Sequence, residues 1–253
     1  MRSRTQKYGD EEIRRLDKKA RQVRKFRKYL FMAFTLQQLA DAGLQYGYSR
    51  TRRHPSTKSF VHSNKGGIDF INLDKTKVQL EEALSFLYSI KNAGKMILFV
   101  GVKPEVRQLV KETALSLNAP YVAERFIGGT LTNFVQMKKR VDRLHDLLKK
   151  KENGEFSVFT KKEQLLLQRE IERLDKDFGG VSTMNNLPAA IVMIDPRFEA
   201  MCVLEAKRMN IPVVALSSTD CNINTISYPV VGNDGSLLPV KFFLEMVKTE
   251  LQK

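Results

Sequence analysis

A heptad pattern of apolar residues interrupts a chain that otherwise alternates between strand-like and helix-like segments. The apolar positions recur at steps of three and four residues in two stretches, and the polar, glycine-containing segment 149–159 separates them. This spacing aligns the apolar side chains along one seam of each helix. The pattern predicts an inserted antiparallel two-helix coiled-coil arm, with two ordinary core-packing helices as the alternative. The seam consists of Phe134, Met137, Val141, Leu144 and Leu148, followed by Leu167, Ile171, Leu174 and Phe178.

The second helix of the arm carries signals at both ends. Thr160 precedes Glu163 by three residues, which is the capping-box spacing of a helix start, and Gly179-Gly180 ends the helix. A helix of about twenty residues spans about 30 Å, and charged residues surround both seams. These features favour an arm that projects from the body, and we assign it to residues 131–179.

Outside the arm, continuous apolar runs alternate with amphipathic helical patterns from residue 68 onward. Such runs are typical of strands buried on both faces of a parallel sheet, and short links between them predict an α/β fold with a doubly wound parallel sheet. One helical pattern places Phe198, Cys202, Ala206 and Met209 on a face that we expect to be buried. The predicted strands cover residues 70–73, 96–100, 121–123, 190–194, 213–216 and 228–231.

Residues 1–30 form a basic N-terminal extension ahead of the α/β domain, which we assign to residues 31–130 and 180–253. The extension holds twelve Lys and Arg against four acidic residues. We expect a helix that becomes ordered on a polyanion. The alternatives are a solvated disordered tail and a mitochondrial transit peptide, although abundant lysine and four acidic residues are atypical of the latter.

The whole chain carries 43 Lys and Arg against 28 Asp and Glu, a net charge of +15, with 42% apolar residues. The apolar content is sufficient for a buried core and excludes a globally disordered chain. The charge favours an acidic partner, above all a nucleic acid, with an anionic membrane surface as the competing partner. No apolar run reaches the length of about eighteen residues that spans a bilayer. Two cysteines outside any C-x-x-C motif, Cys202 and Cys221, fit a reducing compartment.

Residues 49–58, with Pro55, and residues 64–67, with the pair Gly66-Gly67, are basic, and the sequence predicts an irregular loop there. Its cations suit contacts with nucleic-acid phosphates. They are Arg50, Arg52, Arg53, Lys58 and Lys65.

The chain lacks the glycine patterns of nucleotide-binding sites. The predicted strand at 96–100 is followed by Gly101-Val-Lys-Pro104, which matches neither G-x-G-x-x-G nor G-x-x-x-x-G-K-[ST]. Lys103 nevertheless lies at a strand end, where an anion is favoured. We expect it to contact an RNA phosphate, with a small-molecule phosphate as the alternative.

The segment 124–133, Glu-Arg-Phe-Ile-Gly-Gly-Thr-Leu-Thr-Asn, leads into the arm. Gly128 and Gly129 allow close approach of the backbone, and Thr130 or Thr132 can cap the first helix. We expect an anion-binding loop, with a purely structural hinge as the alternative.

The sequence predicts neither an enzyme nor a metal site. The histidines, His54, His62 and His145, do not have the spacing of metal ligands. Asp195 and Asp220 follow predicted strands and are the best places for a hidden acid, although turn chemistry explains them as well.

Several segments, in order, resemble one family: small ribosomal subunit protein two, of the bacterial type. The similarity runs from about residue 34 to residue 251, and the segment 124–133 is the most specific part. The other matching segments are LADAGLQYGY at 39–48, IDFINLDKT at 68–76, ILFVG with Lys103 at 97–103, TKKE at 160–163 with FGG at 178–180, NIPVVA at 210–215 and YPVVGND at 228–234.

The resemblance implies a Rossmann-like sheet domain with a protruding coiled coil, on the solvent side of the small subunit between head and body. It implies binding to small-subunit rRNA, contact with neighbouring ribosomal proteins and docking of the mRNA-binding ribosomal protein one. It implies no catalysis, cofactor, membrane, small-molecule substrate or homo-oligomer. The location would be the cytoplasmic bacterial ribosome, with a mitochondrial or other organellar ribosome as the alternative.

The chain departs from the family pattern in its loops. Tyr46 and Tyr48 stand where the family has two histidines, and Ser218 and Gly235 stand where it has aspartates. Further departures are Val102 for a threonine and Phe126 for a tryptophan.

We expect cations to neutralise rRNA phosphates and release counterions. Contacts to base edges should be few, because RNA helices are recognised mostly through backbone and shape. The predicted RNA-binding residues are Arg52, Arg53, Lys58, Lys65, Lys103, Arg125, Gly128, Gly129, Thr130, Thr132, Asn133, Lys138, Lys139 and Arg140.

Overall fold

The computed structural model describes residues 34–253, so the predicted extension at 1–30 lies outside the described residues. The strands are β1 (Tyr46–Ser49), β2 (Val61–Lys65), β3 (Ile68–Ile71), β4 (Ile97–Val100), β5 (Tyr121–Val122), β6 (Ala190–Ile194), β7 (Val213–Ser217) and β8 (Tyr228–Val231). The helices are α1 (Leu36–Asp41), α2 (Leu73–Asn92), α3 (Arg107–Ser116), α4 (Phe134–Glu152), α5 (Lys161–Phe178), α6 (Ala200–Arg208) and α7 (Leu237–Gln252).

The body is built on a five-stranded parallel sheet with the order β5-β4-β6-β7-β8. Alternate residues of β4, β6 and β7 enter two separate cores. Phe99 and Val192 pack on one face with α2, α3 and α7, whereas Leu98 and Ile191 pack on the other face with α6 and the start of α4. Burial on both faces explains the continuous apolar runs. The predicted α/β fold with a Rossmann-like parallel sheet is confirmed.

The N-terminal part differs from the prediction. The strand predicted at 70–73 for the parallel sheet is instead β3, the centre of a separate antiparallel sheet with the order β1-β3-β2. Between β1 and β2 the chain forms only two short 3-10 helices, at Arg50–Arg52 and Pro55–Phe60, as expected for an irregular stretch at 49–58. The loop predicted at 64–67 instead contains the end of β2 and the turn that follows it. Gly66 and Gly67, with φ of 58° and 80°, form the two-residue turn between β2 and β3, a conformation that favours glycine at both positions.

Helices α4 and α5 form an antiparallel hairpin. Arg143 bonds Glu170 at 3.1 and 3.3 Å, and Lys151 bonds Gln168 at 2.8 Å across the pair. Thr160 and Glu163 form the predicted capping box. The outer half of the hairpin has its own small core, with Leu144, Leu147, Ile171 and Leu174 buried.

The base of the hairpin belongs to the body, because Met137 and Val141 join the core that also contains β4 and β6 residues. The seam prediction was wrong at one position. Leu148 is 36% exposed, whereas Leu147 is 1% exposed. Leu147 follows Leu144 by three residues, so the buried stripe continues by a three-residue step at that position.

The predicted buried face of α6 was partly wrong. Cys202 and Ala206 are buried, but Phe198 and Met209 are exposed. Helix α6 spans only Ala200–Arg208, so both residues lie outside it and its periodicity does not apply to them. None of the helices between residues 34 and 253 has the length and apolar character needed to cross a bilayer.

The two adjacent leucines test the hairpin core. Leu147→Ala should lower the free energy of unfolding by about 2 to 5 kcal/mol, because it removes a buried side chain and leaves a cavity. Leu148→Ala is the matched control and should change it by less than about 1 kcal/mol. Urea denaturation followed by circular dichroism measures both, and equal effects would contradict the register described above.

Candidate nucleic-acid interface

The loop that leads into α4 encloses a carboxylate of the protein itself. Glu205, buried on α6, accepts hydrogen bonds from the N–H groups of Gly129 at 2.5 Å, Leu131 at 3.0 Å and Thr132 at 3.1 Å. The Thr132 hydroxyl donates to the same carboxylate at 3.2 Å. The anion-binding geometry expected from the paired glycines is present, but an internal anion fills it.

The remaining loop residues have mixed roles. Thr130 is buried, and its hydroxyl donates to the carbonyl of Ile127 at 2.6 Å. Asn133 precedes α4 without a side-chain cap bond, so neither threonine nor asparagine caps that helix. Gly128 and Asn133 are exposed. Contact of this loop with RNA stays a prediction, and the N–H groups at 129, 131 and 132 are already occupied.

Lys103 lies among buried acids at the carboxyl edge of the parallel sheet. Its ammonium pairs with Asp195, which follows β6, and lies 3.5 Å from the Asp234 carboxylate, which follows β8. Asp195 also accepts from the N–H groups of Arg197 and Phe198 at 3.1 and 3.2 Å. Asp195 is therefore a buried acid, and it also forms the turn that the sequence suggested.

Electrostatics at this edge favour a charged Lys103. Burial alone would lower the pKa of Lys103, but Asp234 and Asp195 outweigh it and the pKa is raised. Burial and the neighbouring charge of Asp195 raise the pKa of Asp234 from 3.8 to about 7, against the opposing effect of Lys103. Tyr48, also nearby, has a raised pKa because of its burial and the charge of Asp234.

The same edge brings together a group of possible metal ligands. Asp195, Cys221 and Asp234 each offer a ligand atom, and these atoms lie within 4.8 Å of one another. The Lys103 ammonium already pairs with both carboxylates, so an internal cation neutralises the cluster. Burial raises the pKa of the Cys221 thiol, which disfavours the thiolate that metal binding requires.

Two predicted RNA contacts in the antiparallel sheet region are held by carboxylates. Arg53 makes two bonds of 2.6 Å to buried Asp69 on β3. Arg52 bonds Asp220 at 3.3 Å and stacks over the Tyr48 ring at 4.3 Å. Arg53 therefore has a structural role, whereas the half-exposed Arg52 side chain retains donors that face solvent.

The other predicted cations are exposed. Lys58, Lys65 and Arg125 lie on the body, and three consecutive cations lie on the first turns of α4. Within residues 34–253, none of these six takes part in an ion pair. The α4 cations are Lys138, Lys139 and Arg140.

Sequence reasoning missed the two acids that organise the site. A glutamate on an amphipathic helix, such as Glu205, is expected to face solvent. Glu205 nevertheless lies between Cys202 and Ala206, which the sequence predicted to be buried. That position was the available signal. Asp234 gave no local signal, because its partners Lys103 and Ser218 come from distant loops.

Together the parallel sheet, the helical hairpin and the unpaired surface cations define an α/β scaffold with a basic surface. The family model described as Ribosomal protein S2 matches residues 39–253. The chain belongs to the ribosomal protein S2 family, a family of structural proteins of the small ribosomal subunit. The family resemblance recognised in the sequence is confirmed.

Glu205→Gln tests the internal anion. The amide replaces one acceptor oxygen with a donor that faces N–H groups, so buried donors lose their partner, and the free energy of unfolding should fall by about 1 to 3 kcal/mol. Glu245→Gln on the surface of α7 is the control and should change it by less than about 0.5 kcal/mol. Chemical denaturation measures both, and indistinguishable variants would show that the carboxylate is not required.

Asp234→Asn tests the buried acid through pH. A raised pKa in the folded state means that the native protein holds the proton more tightly, so the contribution of Asp234 to stability falls as pH rises from about 4 to about 7. The difference in unfolding free energy between Asp234→Asn and the unsubstituted protein should therefore shift in favour of the variant over that range. This change in the difference of unfolding free energies can reach at most about 1.4 kcal/mol for each unit by which the pKa of Asp234 is raised.

Urea titrations at several pH values between 4 and 8 give this difference. The comparison cancels the carboxylates that do not interact with Asp234, while Asp195 and Asp220 respond to the substitution with it. A difference that is constant with pH, or that shifts against the variant, would contradict the raised pKa.

Proposed function

We propose that this chain is a non-catalytic structural constituent of the small ribosomal subunit that binds small-subunit rRNA through its exposed cations. One observation carries the proposal: Lys138, Lys139 and Arg140 project from the hairpin without an ion-pair partner in the described part of the chain, while the buried acids have internal partners. Positive charge is thus left over on the surface, where it can neutralise phosphates.

The hairpin supports this role through its rigid base. Met137 and Val141 are anchored in the body core. The backbone of the three cations between them is therefore held in place against the body. Their side chains can contact the phosphates of a folded RNA without the protein backbone having to become ordered on binding. The outer half of the hairpin, packed like a coiled coil, would reach between rRNA segments.

The body would contribute a second set of contacts. Lys58, Lys65 and Arg125 are exposed and unpaired among residues 34–253, and the accessible part of Arg52 can join them. Arg53 and Lys103 would act indirectly, by holding the loops that present these residues.

Neighbouring small-subunit proteins would cover part of the remaining surface, with the mRNA-binding ribosomal protein one as a docking partner. We propose a monomer within the particle, with no membrane and no small-molecule substrate. The cytoplasmic bacterial ribosome is the proposed location, and an organellar ribosome is the alternative.

Simultaneous substitution of Lys138, Lys139 and Arg140 by alanine tests the proposal. Affinity for small-subunit rRNA should fall, and the slope of log affinity against log salt should become shallower by about two to three. A salt series of filter-binding measurements gives both quantities.

The matched control removes three cations on and beside α2 and α7, the helices on the other face of the sheet from α4: Lys91, Lys95 and Lys248. It changes the net charge equally and should leave most of the slope intact. The same variants are then followed through a sucrose gradient with the small subunit. Equal losses in both triple variants, or none in the first, would contradict the assigned role of α4.

A further inference from the structure

Helix α6 exposes an apolar stripe that the fold does not use. Phe198, Met201 and Leu204, spaced by three residues, are 57%, 54% and 53% exposed. Met201 and Leu204 neighbour one another on α6, and the exposed Phe198 lies in the turn just before the helix. Contiguous exposed apolar surface of this kind marks an interaction site more often than scattered single residues do.

A groove runs beside the stripe. One cavity of about 410 Å³ is lined by the apolar residues Pro196, Ala200, Val203 and Leu204 on the α6 side. A second cavity of about 360 Å³ lies next to it, between α6 and the segment 224–227. Val203, Lys207 and Thr225 line both cavities, so they form one continuous groove along the helix.

The charge around the groove is positive. Lys207 lines both cavities, Arg197 lines the larger one, and Arg208 lies next to Lys207 at the end of α6. The one acid that lines either cavity is Asp220, which is almost fully buried and already paired with Arg52 and Arg197. An occupant therefore meets an apolar floor and a cationic rim.

We propose that this groove and stripe dock an acidic segment of a neighbouring protein, with apolar side chains on the floor and carboxylates at the rim. RNA fits less well, because a phosphate over an apolar floor loses hydration without gaining hydrogen bonds. A second copy of the chain also fits less well, because a two-fold contact would bring Lys207 and Arg208 towards their own copies. The inference rests on the proposed function, because the neighbouring protein is taken to be another protein of the small subunit.

A photo-cross-linking amino acid at Met201 identifies the occupant. It is introduced into the full chain, particles are purified on a sucrose gradient, and the cross-linked species are identified by mass spectrometry. The expected product is a defined peptide of one small-subunit protein that contains both carboxylates and apolar residues. The same amino acid at Leu115, which is equally exposed on α3, is the positional control and should not yield that peptide.

Substitutions then test the chemistry of recognition. Leu204→Glu and, separately, Lys207→Glu should each lower the yield of the cross-link at least about tenfold while the chain still enters particles. Leu115→Glu is the matched control and should leave the yield unchanged. A higher salt concentration should lower the cross-link yield of the chain with Lys207 more than that of Lys207→Glu, because salt screens the charge of Lys207.

The outcomes separate the two proposals. A chain that is absent from particles contradicts the proposed function and, with it, this inference. A chain that enters particles but cross-links at Met201 to RNA, to a basic peptide, to its own copy or to nothing overturns the docking surface alone. The same holds if Leu204→Glu leaves the yield unchanged.

Discussion

The position of the hairpin depends on one buried carboxylate. Glu205 gathers three backbone N–H groups and a hydroxyl from the loop that precedes α4. An isolated buried charge would be strongly unfavourable, whereas a carboxylate with several donors is well satisfied. Because α6 packs on the parallel sheet, the bonds to Glu205 tie the entry of the hairpin to the core of the body.

The same principle governs the carboxyl edge of the sheet. Asp195, Asp220 and Asp234 follow three different strands and meet there. Lys103, Arg52 and Arg197 neutralise them, and Arg197 comes from the same loop as Asp195. Loops that would otherwise repel one another are held together by these pairs. The cations of this chain therefore fall into two groups: those that compensate buried acids, such as Arg53 and Lys103, and those that remain on the surface, such as Lys138 and Lys139. Net charge alone does not make this distinction, because it counts both groups alike.

Predictability from the sequence follows the strength of the local pattern. The strands at 190–194 and 228–231 have the predicted bounds, because burial, complete in the first and confined to Val230 and Val231 in the second, comes with an unbroken apolar run. Strand β2, with the sequence Val-His-Ser-Asn-Lys, has no such run because it is mostly solvent-exposed, and only its pairing with β3 defines it. The family resemblance identified the loop at 124–133, but the filling of that loop by Glu205 depends on a residue more than seventy positions away. Long-range pairing of charges leaves no periodic trace in a sequence.

Tyr48 and Gly235, at which the sequence resemblance predicts departures from the family pattern, are neighbours in the structure. A side chain at Gly235 would place its Cβ 3.2 Å from the Tyr48 hydroxyl, which is tighter than ordinary contact. Tyr48 in turn stacks under Arg52, which reaches Asp220. A bulky tyrosine at 48 and an aspartate at 235 would compete for the same space, so the absence of a side chain at 235 accommodates the ring. Asp234 keeps its bonds to the Ser218 N–H and to Lys103, and the edge of the sheet therefore retains its internal charge compensation without a carboxylate at position 218 or 235.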